Sequence, residues 1–367
     1  MDIVVACGGT GGHAFPGLAV AEELRRRGHD VTVWDSGRDV ESSVMRNWTG
    51  KAFSTGAKQL SLGNVFSNIH SYFRCRREMR KRQPAVLLAM GSYSSLPPTL
   101  AAAGCGVPTV LHEANTVPGK AVEFLSRFAK VVATSFAETA ERLPNVKTVQ
   151  TGLPVRAGIA EGKRFPFVPN DAFTVFVTGG SQGAHAINEL MCDALAKLKD
   201  EIAKTPGGRP LYVIHQTGVR DEGLVMAAYA KAGIPARVVA FEDEMANAFA
   251  TADFVVARAG ASTCFELAAC AKPSLLIPLP TALRNHQHFN ADAFASRGAA
   301  DEGLQKDLTP EQLAKYLVAM RAKPERLAEM SRRAAALAVP DAAARVADLV
   351  EKTARRPLAN AERTVLQ

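Results

Sequence analysis

Several things are scarce in this sequence, and each scarcity removes a class of protein. There are six cysteines in 367 residues, at positions 7, 75, 105, 192, 264 and 270, and none forms a C-x-x-C pair. A zinc ribbon or a redox dithiol is therefore not expected, and scattered single thiols fit a reducing compartment. No apolar run approaches the roughly 18 residues of a membrane helix, so any membrane contact is expected to be peripheral. The chain enters an apolar strand without a basic leader, and no signal peptide is expected. Asp-x-Asp is absent, and His286 and His288, two apart, would point away from each other on a helix. No metal site is expected, nor any cofactor. Aromatic residues make up 7% and interleave with basic residues in one stretch only, which argues against a nucleic-acid groove.

What is present is an ordinary core and an excess of positive charge. Hydrophobic residues are 47%, and the formal net charge is +8. The length fits two domains, and the charge suggests an anionic partner such as a nucleotide or an anionic lipid surface. Short β-like runs at 3–6, 31–34, 85–90, 109–112 and 131–134 alternate with helical patterns at 15–27, 65–82, 97–103 and 123–129. After residue 170 the scheme repeats, with strand-like runs at 173–177, 211–215, 237–241, 254–257 and 275–278. Such alternation predicts an α/β protein with parallel sheets. The expected organisation is a first Rossmann-like domain over 1–158, a linker over 159–170 and a second such domain over 171–338. An Ala-rich helix and a polar tail close the chain over 339–367.

Each half carries a glycine turn after its first strand. Gly8-Gly9-Thr10-Gly11-Gly12-His13 opens the first helix, and Gly179-Gly180-Ser181-Gln182-Gly183 opens the corresponding helix of the second half. Backbone N–H groups at a helix start make an anion site. The first turn also fits a dinucleotide fingerprint, Gly9-x-Gly11-x-x-Ala14 with Asp35 after the second strand, so a dehydrogenase stays open on spacing alone. His13 is either a packing or capping residue or a proton acceptor for a substrate hydroxyl. Ser181 is either a diphosphate ligand or a simple N-cap.

Two further stretches carry chemistry. Arg258 to Glu266 reads as strand end, Gly260 turn and helix start, with Ser262 and Thr263 in the first turn. Glu266 either completes a capping box with Thr263 or grips two vicinal hydroxyls, such as those of a ribose. Polar residues 284–290 follow the next strand, and such loops converge at the carboxyl edge of a parallel sheet. In the stretch 64–83, Val65, Ile69, Tyr72 and Phe73 share a helical face. Arg74, Arg76, Arg77, Arg80, Lys81 and Arg82 crowd beside them. The helix is either a core helix with a solvated charged face or one that meets anionic head groups.

Together these stretches resemble the MurG family of N-acetylglucosaminyltransferases. The resemblance rests on residues 8–13 with Pro16 to Ala19, on His112-Glu113-Ala114-Asn115, Pro154-Val155-Arg156 and Gly179–Gly183, and on Ala261–Glu266 and Gln287–Asn290. It implies a GT-B fold, two Rossmann-like domains facing across a cleft. It implies inverting, metal-independent transfer from UDP-GlcNAc to lipid I. His13 would be the base. Thr10, Gly11, Gly12, Asn115, Arg156, Ser181, the backbone at Phe241 and Glu242, Ala261, Ser262, Thr263, Cys264, Phe265, Glu266 and Gln287 would bind the donor. Val65, Ile69, Phe73, Arg76, Arg77 and Arg80 would lie on the membrane and acceptor side, at the cytoplasmic face of the membrane. The sequence departs from the family at Leu153, at His185 and in the loop from Gly91 to Pro98. The alternatives are another GT-B transferase with a lipid acceptor, such as a diacylglycerol galactosyltransferase, or a non-catalytic binding subunit.

Overall fold

The computed structural model describes residues 1–355 except 10, 38–44, 46–47, 60 and 206–207. The chain divides into two units, residues 1–155 with 340–367, and residues 156–339.

The first unit is a seven-stranded parallel sheet in the order β3-β2-β1-β4-β5-β6-β7. Its strands are β1 (Asp2–Ala6), β2 (Asp30–Asp35), β3 (Lys51–Ser54), β4 (Val86–Ala89), β5 (Thr109–Glu113), β6 (Val131–Thr134) and β7 (Thr148–Gln150). The central strands read as continuous apolar runs because helices cover both of their faces. Ile3, Val5, Val31, Val33, Val86 and Leu88 form one core with Leu18, Val20 and Leu24 of the first helix, Gly11–Arg26. Val4, Trp34, Leu87 and Leu111 form the opposite core with Cys75 and Met79 of the Val65–Arg82 helix.

The helix Ala342–Thr353 closes the first of these cores. Val346, Ala347 and Val350 are fully buried in it, each valine contributing about 1.5–3 kcal/mol. Arg27 pairs with Asp348 at 2.5 Å and Glu351 at 2.9 Å, and Arg355 N–H donates to Ala85 O at 2.9 Å. The polar tail beyond Arg355 lies outside the described residues.

The second unit is a six-stranded parallel sheet, β10-β9-β8-β11-β12-β13. Its strands are β8 (Phe173–Thr178), β9 (Leu211–Gln216), β10 (Ala236–Val239), β11 (Phe254–Ala257), β12 (Ser274–Leu276) and β13 (Asp301–Glu302). Residues 159–170, expected as a linker, are packed on this unit instead. Phe165 and Val168 are buried, Phe165 N–H donates to Thr251 Oγ1 and Lys163 N–H to Asn247 Oδ1, both at 2.8 Å. Prolines break regular structure there without making the segment independent. Among the described residues, no helix is long and apolar enough to cross a membrane.

Candidate functional site

In an open parallel sheet, ligands bind outside the carboxyl ends of the strands where the strand order reverses. In the first unit that point lies between β1 and β4. The loop after β1 and the loop after β4 meet there, Ser94 Oγ donating to Gly8 O at 2.5 Å. Gly9 has φ +117°, and a Cβ on it would lie 2.4 Å from Ser92 Oγ. Its positive φ, with Ser92 close by, makes a side chain there strained. Gly11 is roomier, since its Cβ would make ordinary contact with Phe15 at 3.5 Å. Thr10 lies outside the described residues.

His13 is the third residue of the first helix. Residues 11–13 open that helix, so their N–H groups precede any carbonyl four residues back. The imidazole is half-buried beside the second loop; a Cβ on Gly91 would come within 3.8 Å of its Cδ2. At the end of β5, His112 is fully buried, and burial, helped by the nearby His13, holds it down at about 4. Glu113 follows. Its carboxylate accepts Asn115 N–H at 2.8 Å, Asn115 Nδ2 at 3.2 Å and Gly119 N–H at 2.9 Å. Burial raises its pKa against those hydrogen bonds. Glu113 thus fixes the loop that presents Asn115, a role its place in the motif did not reveal.

In the second unit the order reverses between β8 and β11. Gly180 and Gly183 have φ of +84° and +72°, and a Cβ on Gly183 would lie 1.9 Å from Thr217 O. Ser181 is exposed in this turn. It is not an N-cap: Ala184 holds that position for the helix His185–Ala203. The turn also has the Gly-x-Ser-x-Gly spacing of a nucleophile elbow, yet the neighbouring imidazole is committed elsewhere. His185 Nδ1 meets Asp221 at 2.9 Å and its Nε2 meets Glu189 at 3.1 Å, so it is no base for Ser181.

The loop after β11 holds the densest group. Gly260 is the N-cap of the helix Ala261–Ala269, with no side-chain capping bond, so the capping-box alternative for Thr263 and Glu266 does not form. Ser262 and Thr263 are half-exposed in the open first turn. Ala261, Cys264 and Phe265 are buried. The Cys264 thiol is pushed up to about 12 by burial, and its N–H already bonds Gly260 O at 3.0 Å. These three residues build the helix start and leave the accessible side chains to Ser262 and Thr263.

Glu266 is 5% exposed, and Arg156 Nε stands 3.0 Å from its Oε1. Burial raises the carboxyl's pKa, and the guanidinium opposes it. Gln287 accepts Leu279 N–H at 2.9 Å through Oε1, which pins its amide beside the loop after β12. Phe241 is exposed just beyond β10. Glu242 points inward instead, pairing with Arg237 at 3.0 Å and accepting Glu244 N–H at 3.1 Å, so only its backbone can serve a ligand. Two residues that sequence reasoning left unassigned tie these loops together. Arg258 donates to Ile277 O and Pro278 O, both at 3.1 Å, and Asn290 Nδ2 donates to Ala259 O at 3.1 Å. Their signal was the flanking of both polar loops by long hydrogen-bonding side chains. Among the described residues, no group of three His, Cys, Asp or Glu side chains could hold a metal ion.

Two parallel-sheet units, each with a glycine turn at its switch point, define a nucleotide-type α/β protein. Residues 3–134 match the glycosyltransferase family 28 N-terminal domain and residues 174–346 its C-terminal domain, so the fold is GT-B. A Geobacter metallireducens protein named UDP-N-acetylglucosamine--N-acetylmuramyl-(pentapeptide) pyrophosphoryl-undecaprenol N-acetylglucosamine transferase is 36% identical, with 97% of this chain and 100% of that protein covered. A Myxococcus xanthus protein of the same name is 37% identical over 95% of this chain and 92% of its own length. The crystal structure of Acinetobacter baumannii MurG matches with a TM-score of 0.76 and 30% identity, over 96% of this chain and 100% of that one. The chain belongs to the MurG family.

Proposed function

We propose that the chain transfers N-acetylglucosamine from UDP-GlcNAc to the muramyl C4 hydroxyl of lipid I, giving lipid II with inversion and without a catalytic metal. The observation that carries the reading is Glu266, a buried carboxylate one and a half turns into a helix whose open N-terminus adjoins a glycine turn. That combination suits a nucleoside diphosphate: vicinal ribose hydroxyls on the carboxylate, phosphates at helix-start N–H groups. The names of the relatives supply the particular substrates.

The donor would occupy the second unit, with Glu266 on the ribose, Ser181, Ser262 and Thr263 toward the diphosphate, and Gln287 toward the sugar. As the glycosidic bond breaks, UDP gains negative charge, and oriented N–H groups at residues 261–263 would stabilise it electrostatically. In the first unit, His13 would take the proton of the attacking hydroxyl, worth roughly 10²–10⁴-fold in rate. Asn115, held by Glu113, and the turn at Gly11 and Gly12 would contact the sugar and diphosphate.

The proposal includes peripheral attachment at the cytoplasmic face of the membrane. On the Val65–Arg82 helix Val65, Phe66, Ile69 and Phe73 are exposed, Phe66 by 84%. Arg77 and Arg80 are exposed beside them, while Arg76 is half-buried and Arg82 is paired with Asp2 at 2.8 Å. A stripe of this kind, apolar outward and flanked by cations, suits anionic head groups. Reversing Arg77 and Arg80 to Glu should weaken binding to anionic vesicles in a salt-dependent way; undiminished binding removes this part of the proposal. The reaction itself is tested by incubating the protein with UDP-GlcNAc and a short-chain lipid I analogue and identifying the product. Transfer to diacylglycerol but not to the lipid I analogue would replace the reading with a different acceptor.

A further inference from the structure

A lined apolar groove lies next to the first switch point. It runs between the Val65–Arg82 helix and the helix Leu96–Gly104, with a volume of about 390 Å³. Its walls are Val65, Ile69, Tyr72, Leu96, Pro97 and Leu100, with Ser61 and Asn68 at its polar margin. A volume of this order falls within the roughly 300–1,000 Å³ of ligand pockets. Phe66 and Phe73 of the same helix are exposed and do not line it, whereas Val65 and Ile69 belong both to the groove wall and to the outward apolar stripe, so the groove opens along one side of that stripe.

What distinguishes this groove is where its second wall begins. The helix Leu96–Gly104 is the direct continuation of residues 91–95, the loop that meets the Gly8–His13 turn. Ser94 Oγ bonds Gly8 O at 2.5 Å, Ser95 Oγ bonds Gly91 O, and Gly91 lies against His13. Leu96 is five residues past Gly91. At no more than about 3.5 Å per residue, Leu96 at the groove is within about 18 Å of Gly91, which itself lies against the imidazole. A lipid-linked sugar diphosphate has the same order of parts: a ring hydroxyl, a diphosphate across the ring from it, then a hydrocarbon chain.

We infer that the groove between these two helices holds the first isoprene units of the acceptor's own polyprenyl chain, as distinct from an acyl chain of the surrounding bilayer. The inference rests on the reading of the acceptor as a lipid-linked sugar diphosphate. With the hydroxyl at His13, the diphosphate reaches the 91–95 loop, and the chain then enters the groove along Leu96 and Leu100. Phe66 and Phe73, which lie outside the groove, are left to the bilayer. The groove therefore adds chain recognition to the acceptor site, and long-chain acceptors are favoured over short ones by contact with protein as well as by concentration at a membrane.

The test is a chain-length comparison in mixed detergent micelles. kcat/KM is measured for two synthetic lipid I analogues, one with a polyprenyl chain of several isoprene units and one with a chain too short to reach Leu96. Leu100→Trp fills the groove. Ser61→Trp crowds its polar margin from an exposed position, so it stays informative should the first variant fold poorly. Each methylene withdrawn from water is worth about fourfold in affinity, so excluding even part of an isoprene unit should lower the long-to-short ratio of kcat/KM about tenfold or more. Vesicle binding should fall far less than it does in the Arg77, Arg80 reversal. An unchanged ratio in both variants overturns the inference, as does a vesicle-binding loss matching that of the charge reversal, which would make the groove a bilayer anchor. Absence of transfer by the unmodified protein to either analogue would instead defeat the reading of the reaction.

Discussion

Replacing Glu266 by Gln isolates what its charge does. The amide keeps the shape and nearly the volume of the buried side chain, so the helix Ala261–Ala269 should stay in place. What changes is the acceptor proposed for the ribose. Hydrogen bonds to a charged group contribute about 1.5–3 kcal/mol each, against about 0.5–1.5 for neutral pairs. With a side chain only 7% exposed, water does little to screen the difference. Losing the charge across two ribose hydroxyls should cost about 1.5–3 kcal/mol, about tenfold to somewhat over a hundredfold in affinity. The ribose does not react, so the loss is uniform between ground and transition states. It should raise KM for UDP-GlcNAc and weaken UDP binding while kcat changes little. The specific assay compares UDP with 2′-deoxy-UDP by calorimetry in both proteins. The unmodified protein should discriminate strongly, and Glu266→Gln should discriminate weakly. Equal discrimination in the two would mean that Glu266 does not touch the ribose, and its burial would then serve Arg156 alone. The pH dependence has a definite sign. Burial raises the carboxyl's pKa, so donor affinity should fall as pH drops through that raised value, and the fall should vanish in Glu266→Gln.

Three other expectations follow from the same geometry. His13→Ala should lower kcat by roughly 10²–10⁴-fold with UDP binding nearly intact; near-normal kcat with an unchanged pH profile would rule out His13 as base. Gly9→Ala combines a φ of +117° with a Cβ 2.4 Å from Ser92 Oγ and should destabilise the first unit by about 2–4 kcal/mol, whereas Gly11→Ala should be tolerated. Both tryptophans, Trp34 and Trp48, lie in the first unit, so denaturation followed by their fluorescence reports that unit. Partial rescue of Gly9→Ala by Ser92→Gly would confirm the clash as the cause. His112, held down at about 4 by burial, stays neutral in the folded unit while the unfolded chain takes up a proton below about 6.5. Stability of the first unit should therefore be lost as pH falls from about 6.5 toward 4, by about 1.4 kcal/mol per pH unit from this group. His112→Leu should flatten that limb.

The alternation of apolar runs with helical patterns made the two parallel sheets legible, because doubly covered strands carry an unmistakable run of Val, Ile and Leu. The edges were not. β3, β7 and β13 are half-exposed or short, and their residues carry no such run. Among the candidate site residues, the two glycine turns were legible as turns, but which glycine is obligatory was not. Gly9 is favoured by its φ of +117° and by the approach of Ser92, more than eighty positions away, and no local pattern reports that contact. The Val65–Arg82 helix was legible down to its ends, yet its faces were ambiguous. Its buried face is Ser71, Cys75 and Met79, a weaker apolar set than the Val65, Ile69 and Phe73 stripe that remains outside. Hydrophobic spacing identifies an amphipathic helix without saying which solvent its apolar face meets.

The two buried carboxylates show how similar sequence signals separate once partners are counted. Glu113 and Glu266 both lie near carboxyl ends of central strands, and burial raises the pKa of both, a mark of functional sites that does not by itself assign a role. An ionised carboxylate offers about four acceptor positions. Glu113 has both oxygens engaged, Oε1 by the Asn115 backbone and side chain and Oε2 by Gly119, and all three donors belong to one loop. It is built to hold that loop still. Among the described residues, Glu266 meets the guanidinium of Arg156 through Oε1. One ion contact lessens the cost of burying its charge and leaves acceptor capacity at an open helix start. A buried carboxylate faced by one guanidinium at an open helix start is suited to a ligand with adjacent hydroxyls. The proposed division, with Glu113 positioning its loop and Glu266 binding the donor, is supported by these partners, which spacing in the chain does not encode.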